Sequence, residues 1–352
     1  MPPRFIAVVG IVILAYPFSM FSLAKSLTLQ TPLAFLGLVP PIALVLGWIR
    51  IRREPPMRPI HDRQVDYIIG LAFLGAAVAI ASLMPLEMGP TFWLYRVDLL
   101  TLPLFVAGLI ALFYGTRHLW ALRFPIAFLL LAWPAPYLLL VNGGERAWIN
   151  LTVRVLALIS GFLPYATPIA GGADVFSIRH ATSSFFLGVG SISSGVNSIV
   201  GFAIIGGAVV YVADGARIRR IAWLIAYLAL VWTLDVIHIE AVFVTGAVLG
   251  QRAALGLLHP VAGVIPFSLA TGAALLALRP FGMRFRPTGG RWRWAAPAVP
   301  IHRVYVVAAL TCLVAIWLFH TNAGYARYAP GNGPLGDPQL GPFTVELGWG
   351  RP

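Results

Sequence analysis

Asp235, His238 and Glu240 fall close together in an otherwise apolar run of the chain. Ionisable groups at membrane depth are expensive and usually mark function. Asp235 and His238 are one helical turn apart, so the carboxylate can orient the imidazole or hold its positive charge. Glu240 points to another face. Upstream, Ser191-Ile192-Ser193-Ser194-Gly195-Val196-Asn197-Ser198 opens an apolar run with hydroxyls and an amide where leucine is the usual choice. A hydroxyl at a helix start lies beside unpaired backbone N–H groups and the positive end of the helix dipole, which stabilise an oxyanion. Downstream, His259-Pro260 opens another run, proline being suited to a first helical turn. A hydroxyl nucleophile, an imidazole base and oxyanion donors form the set that nucleophilic acyl transfer requires. Structural readings compete with it. Ser193 and Ser194 can be N-caps above a packing face of Gly195, Gly201, Gly206 and Gly207, and Asp235 with His238 can be a polar pair that locks helices together.

These residues need elements that bring them to one depth. The chain has 352 residues, 59% of them hydrophobic and 11% charged, with a mean hydropathy of +0.85. A soluble core cannot absorb that much apolar sequence, and lipid accepts only helices or closed barrels. Run length selects helices, giving an all-α, polytopic transmembrane bundle of about nine spans. The expected spans are 5–23, 33–49, 67–85, 96–115, 124–141, 193–212, 221–248, 259–278 and 304–319. The first is read as a retained helix rather than a cleaved signal. With the N-terminus inside, most of the 25 basic residues fall on the cytoplasmic side, among them Arg50, Arg52, Arg53, Arg217, Arg219, Arg220 and Arg279 to Arg303. That orientation requires that 142–192 not cross. Within it, Arg146, Asn150 and Arg154 at four-residue spacing beside leucines suggest an interfacial helix over 145–163, and Pro168 to Val189 reads as a short outer hairpin. The charge of +13 is dispersed among links, which argues against nucleic acid. Lone Cys312 allows no internal disulfide and reads as core packing. No pattern calls for a cofactor or a metal.

At its polar residues the chain resembles the exosortase and archaeosortase family of membrane transpeptidases. The family's Cys-Ser-Gly helix start is matched by Ser193-Ser194-Gly195, its Asn-x-x-Arg by Asp235-Val236-Ile237-His238, and its third histidine motif by His259-Pro260-Val261-Ala262-Gly263. Trp133-Pro134-Ala135-Pro136 is similar to the proline-rich end of an earlier family helix. Serine therefore stands at the nucleophile cysteine and histidine at the motif arginine. A hydroxyl needs a real general base where a thiol needs mainly a cationic environment. The resemblance then implies Ser193 as nucleophile, His259 or His238 as base and Asp235 as orienter, with Ser194, Asn197 and Glu240 contacting substrate. It implies partners as well: exported proteins whose C-terminal sorting signal joins a short motif, a membrane helix and a basic cluster, and a lipid-linked acceptor. The location implied is the cytoplasmic membrane, with the site facing outside. The expected divisions are 1–66, N-terminal helices; 67–280, exosortase-like core; 281–320, basic link and last helix; and 321–352, a Gly/Pro-rich outer tail. Two rivals remain: a catalytically degenerate relative that binds sorting helices or assists export, and a proton- or cation-coupled transporter using Asp235, His238 and Glu240.

Overall fold

The first apolar run does not make one straight helix. In a computed structural model of the chain, α1 (Pro3–Ala15) and α2 (Pro17–Ser26) are bent by 83° where Pro17 removes a backbone donor and Tyr16 is buried. The structure describes residues 3–26, 34–53, 63–163, 165–169, 174–181, 183–189, 196–254, 259–285 and 301–324. Of the expected basic link and last helix over 281–320, residues 286–300 fall outside them, as does all of the expected tail beyond residue 324. The chain divides into two compact units, one running to Pro136 and including the last helix, the other spanning Tyr137–Arg286.

In the first unit a 3-10 turn (Ala34–Leu38) leads into α3 (Val39–Arg53), followed by α4 (Gln64–Met88), the short α5 (Thr91–Leu94) and α6 (Asp98–Tyr114). α4 and α6 interlock through small residues. A Cβ at Gly70 would stand 2.6 Å from Leu112, and one at Gly108 2.7 Å from Leu74, so both glycines are required by the close approach. The short α7 (Thr116–Ala121) starts where Asp66 accepts bonds from the Thr116 N–H and hydroxyl at 2.7 and 2.8 Å. Buried Asp98 is held by the Ser19 hydroxyl at 2.6 Å and by Arg96, whose Nη1 also donates to Ser22 at 2.9 Å. That network ties the bent α2 to the start of α6.

The fifth expected span, 124–141, is not one continuous helix. α8 (Arg123–Phe128) tightens into a 3-10 turn (Leu129–Ala132), and the chain breaks at Trp133 and Pro134, where Trp133 is extended and donates its indole N–H to Tyr95 O at 3.0 Å. Proline forbids continuation and forces its predecessor out of the helical region. α9 (Ala135–Phe162) then runs unbroken for 28 residues, so the expected interfacial helix is the second half of a longer one. Gly143 and Gly144 lower helix propensity without ending it. Its exposed side mixes Asn150 and Arg154 with Leu151 and Leu158, while Thr152, Leu156 and Ser160 are buried, so apolar and polar residues do not separate cleanly between the two faces.

The expected hairpin grows to a three-stranded antiparallel sheet of β1 (Ala166–Pro168), β2 (Val175–His180) and β3 (Ser183–Gly188) in that order. α10 (Val196–Val212), β4 (Ala213–Asp214), α11 (Arg217–Leu249), α12 (His259–Leu276) and β5 (Arg284–Phe285) complete the second unit, with β4 and β5 pairing beside the arginines. α13 (Ile301–Asn322) belongs to the first unit and bonds Ala15 O at the bend through Asn322. The fold is thus a predominantly helical membrane bundle, though not purely helical. Among the described residues four helices are long and apolar enough to cross a membrane, five with the bent α1–α2 pair, and several apolar helices are shorter, so nine spans are not confirmed.

Candidate functional site

α11 is two-faced, and the change of face positions the site. Its lower part buries Trp223, Tyr227 and Val231 in a cluster with Phe202 of α10 and Ala270, Ala274 and Leu278 near α12. Its upper part buries the opposite face, Val236, Ile239 and Phe243, against Leu156 of α9 and Phe176 and Ile178 of β2. At 100° per residue, the stripe through Tyr227 and Val231 continues upward into Asp235 and His238. The apolar seam shared with α10 and α12 therefore ends in a carboxylate and an imidazole. Asp235 Oδ2 is buried with no hydrogen-bond partner among the described residues. Glu240, also buried, lies on the sheet-facing side with Ile239 and Phe243, away from the Asp235–His238 face.

Contacts along the seam fix the helix register. Arg220 Nη1 donates to Val210 O at 3.2 Å, a Cβ at Gly206 would stand 2.6 Å from Leu224 and 3.0 Å from Tyr227, and the Phe202 and Tyr227 rings lie 5.4 Å apart, edge to face. α10 and α11 are antiparallel, so the same pairing carried onward brings Val196, where α10 begins, level with Leu234 and Asp235. On the other side Trp223 donates its indole N–H to Ala274 O at 2.9 Å, and Tyr227 Oη meets Thr271 Oγ1 at 3.4 Å. Carried onward, that pairing brings His259, the first residue of α12, level with His238. Two helix starts and the polar end of the α11 stripe thus share one level.

That level stands far from the arginines. From Arg217 the helix rises about 27 Å to Asp235 and about 32 Å to His238 at 1.5 Å per residue, the thickness of a bilayer hydrocarbon core. Beyond His238, α11 continues to Leu249 under the sheet. Gly246 admits Phe185, whose ring would lie 2.7 Å from a Cβ there, and His180 Nδ1 bonds Ala247 O at 2.8 Å near the helix end. As a donor, His180 satisfies one of the carbonyls that every helix end leaves open. Sequence reading did not single out His180. Its signal is a polar residue on the inward face of β2, whose other inward residues, Phe176 and Ile178, are apolar.

Of the residues expected at the site, Asp235 and His238 share a face of one unbroken helix, and Asn197 lies in the first turn of α10. Ser193 and Ser194 fall outside the described residues, three and two positions before Val196. Among the described residues no His, Cys, Asp and Glu cluster has metal-binding geometry.

Residues 28–276 match the family model described as transmembrane exosortase, a stretch that ends with the last residue of α12 and takes in every element of the seam. Neither a curated protein nor a solved structure matches the chain significantly. The match covers well over half of the 352 residues, and with the long apolar helices it makes this chain a multi-pass membrane protein of the transmembrane exosortase family.

Proposed function

We propose that this exosortase cleaves the C-terminal sorting region of exported proteins by serine acyl transfer, at the membrane boundary opposite its arginine-rich end. The helix register supports the reading: the start of α10, Asp235 with His238, and the start of α12 converge on one level. Ser193 stands three residues before Val196, so the chain keeps the two Cα atoms within about 11 Å of each other. In the first step His238 or His259 takes the Ser193 hydroxyl proton as Oγ attacks the scissile carbonyl. Asp235 orients the imidazole and balances its charge. N–H groups at the start of α10, with the Asn197 amide, receive the oxyanion. The C–N bond then breaks, the histidine returns its proton to the leaving amine, and an acyl-serine remains. Water, or the hydroxyl or amine of a lipid-linked acceptor, resolves it.

Arginines cluster at the other end of the seam, and the positive-inside bias supports a site on the outer face of the cytoplasmic membrane. Substrates would enter sideways from the bilayer, with Ser194 and Asn197 contacting their chain; Glu240, expected to join them, is buried on the sheet-facing side and is left out of the contact. The test is Ser193→Ala in cells exporting proteins that end in a short motif, a membrane helix and a basic cluster. Processing should stop, as gel mobility will show; processing at the wild-type rate sinks the serine mechanism. A specific feature keeps a second reading in play: serine and histidine stand where the family motif has cysteine and arginine, as in a relative that binds sorting helices without cutting. Fluorophosphonate labelling of Ser193 is incompatible with that inert site.

A further inference from the structure

A peptide bond inside a helix is a poor target, because its N–H and C=O are engaged and its carbonyl is shielded by neighbouring turns. Cleavage near the His238 level therefore requires an extended stretch of substrate. At a membrane boundary an extended backbone must find partners for its polar groups. The described residues of the second unit offer one such surface. β3 is an edge strand, and Val189 N–H continues its ladder with β2 by donating to Asp174 O at 2.7 Å. With Leu187 opposite Phe176 and Phe185 opposite Ile178, antiparallel alternation turns the backbone groups of Phe185 and Leu187 toward β2 and those of Ser184 and Phe186 outward. Ser184 and Phe186 are both exposed, Phe186 at 65%. The opposite edge, β1, has three residues and ends in Pro168, a poor template.

The direction of β3 matters as much as its edge. Phe185 packs at Gly246, high on α11, while Val189 is buried in the cluster that holds Val236 and Ile239, near the His238 level. The strand thus descends toward the site, and Ser193 follows Gly188 by five residues. We propose that the Ser184–Phe186 edge captures an extended stretch of substrate as a fourth strand and guides the scissile bond down to Ser193. The proposal rests on the acyl-transfer reading for its chemistry, but the strand capture has its own readout. Backbone pairing supplies affinity with little sequence demand, and alternate side chains supply selection.

The experiment uses the full chain in nanodiscs and a synthetic probe, an alternating Thr–Val segment joined to a Leu/Ala membrane helix of about 20 residues. Residue-resolved hydrogen exchange should slow by about tenfold or more at the Ser184 and Phe186 amides when the probe is added. Ser184→Pro removes an N–H that β2 does not use, a change edge strands tolerate, and should weaken probe binding about tenfold; Ser184→Ala should not. An unchanged melting temperature checks that the proline variant folds. No slowing at these amides, or binding indifferent to Ser184→Pro, overturns strand capture even if Ser193 reacts with fluorophosphonate. Slowing without that labelling keeps the edge and removes the serine chemistry.

Discussion

Replacing Gly206 by valine strains the contact that sets the α10–α11 register. A Cβ at this position would stand 2.6 Å from Leu224 Cδ1 and 3.0 Å from Tyr227 Cδ1, and valine adds two methyl groups. Leu224 can rotate its end away. The Tyr227 ring has less room, being packed against Trp223 at 5.3 Å and Phe202 at 5.4 Å. Overpacking of this kind costs about 1–3 kcal/mol, and at about 2–4 °C per kcal/mol the melting temperature should fall by about 2–12 °C. The functional loss should be larger, because relief comes from pushing α10 outward. A displacement of about 1 Å in reacting groups can lower a rate about 100-fold. Gly207 is the control, since nothing lies within 4 Å of a Cβ there. The assay pairs melting temperature in detergent with the processing rate of a sorting-signal substrate. Gly206→Val should lose both, and Gly207→Val should stay near wild type. If the two variants behave alike, the close approach at Gly206 does not set the register and the level assigned to Val196 fails.

Asp235→Asn keeps the shape of the side chain and removes its charge, so processing should fall by about 100- to 10,000-fold with little change in melting temperature. A wild-type rate would assign Asp235 to packing alone. His118 offers a pH test in the first unit, in the short α7 outside the long apolar helices. Burial holds its imidazole below the usual value, against raising influences from the Tyr114 backbone and the Asp66 carboxylate. The unfolded chain therefore takes up this proton first, so the stability contribution is complete above about pH 6.5 and is lost as pH falls toward the lower folded value. Melting temperature should drop below that pH, and His118→Gln should remove part of the drop; an identical profile in the variant refutes the assignment.

The helices of the second unit were legible because their starts carry chemical punctuation. His259-Pro260 opens α12 where expected, and α10 begins within a few residues of the polar Ser193 segment. α11 begins at Arg217 rather than Ile221, since arginine is a good helix former and hydropathy marks where lipid contact starts, not where the helix does. The fifth span was misjudged for the converse reason. The apolar composition runs straight across Trp133 and Pro134, while the backbone obeys the proline. β1 was missed because three residues give too little alternation to read. At the candidate site, the one-turn relation of Asp235 and His238 was visible from spacing. That they share an outer level with Ser193 and His259 was expected from the order of the spans; which residues come opposite one another was not legible, because it depends on contacts at Gly206, Trp223 and Thr271, far away in the sequence.

α11 is also a ruler. Its 33 residues make a rod of about 50 Å, longer than a bilayer core, and the span from its arginine turn to His238 is fixed by helical rise at about 32 Å. With its guanidinium groups at one headgroup layer, as the proposed orientation has them, the protein would adjust the depth of His238 only by tilting. Hydrophobic mismatch then falls on the chemistry. On the proposed acyl-transfer reading, a thin membrane would lift the imidazole toward the aqueous boundary and a thick one would draw it into hydrocarbon, so lipid chain length would become a control on the reaction.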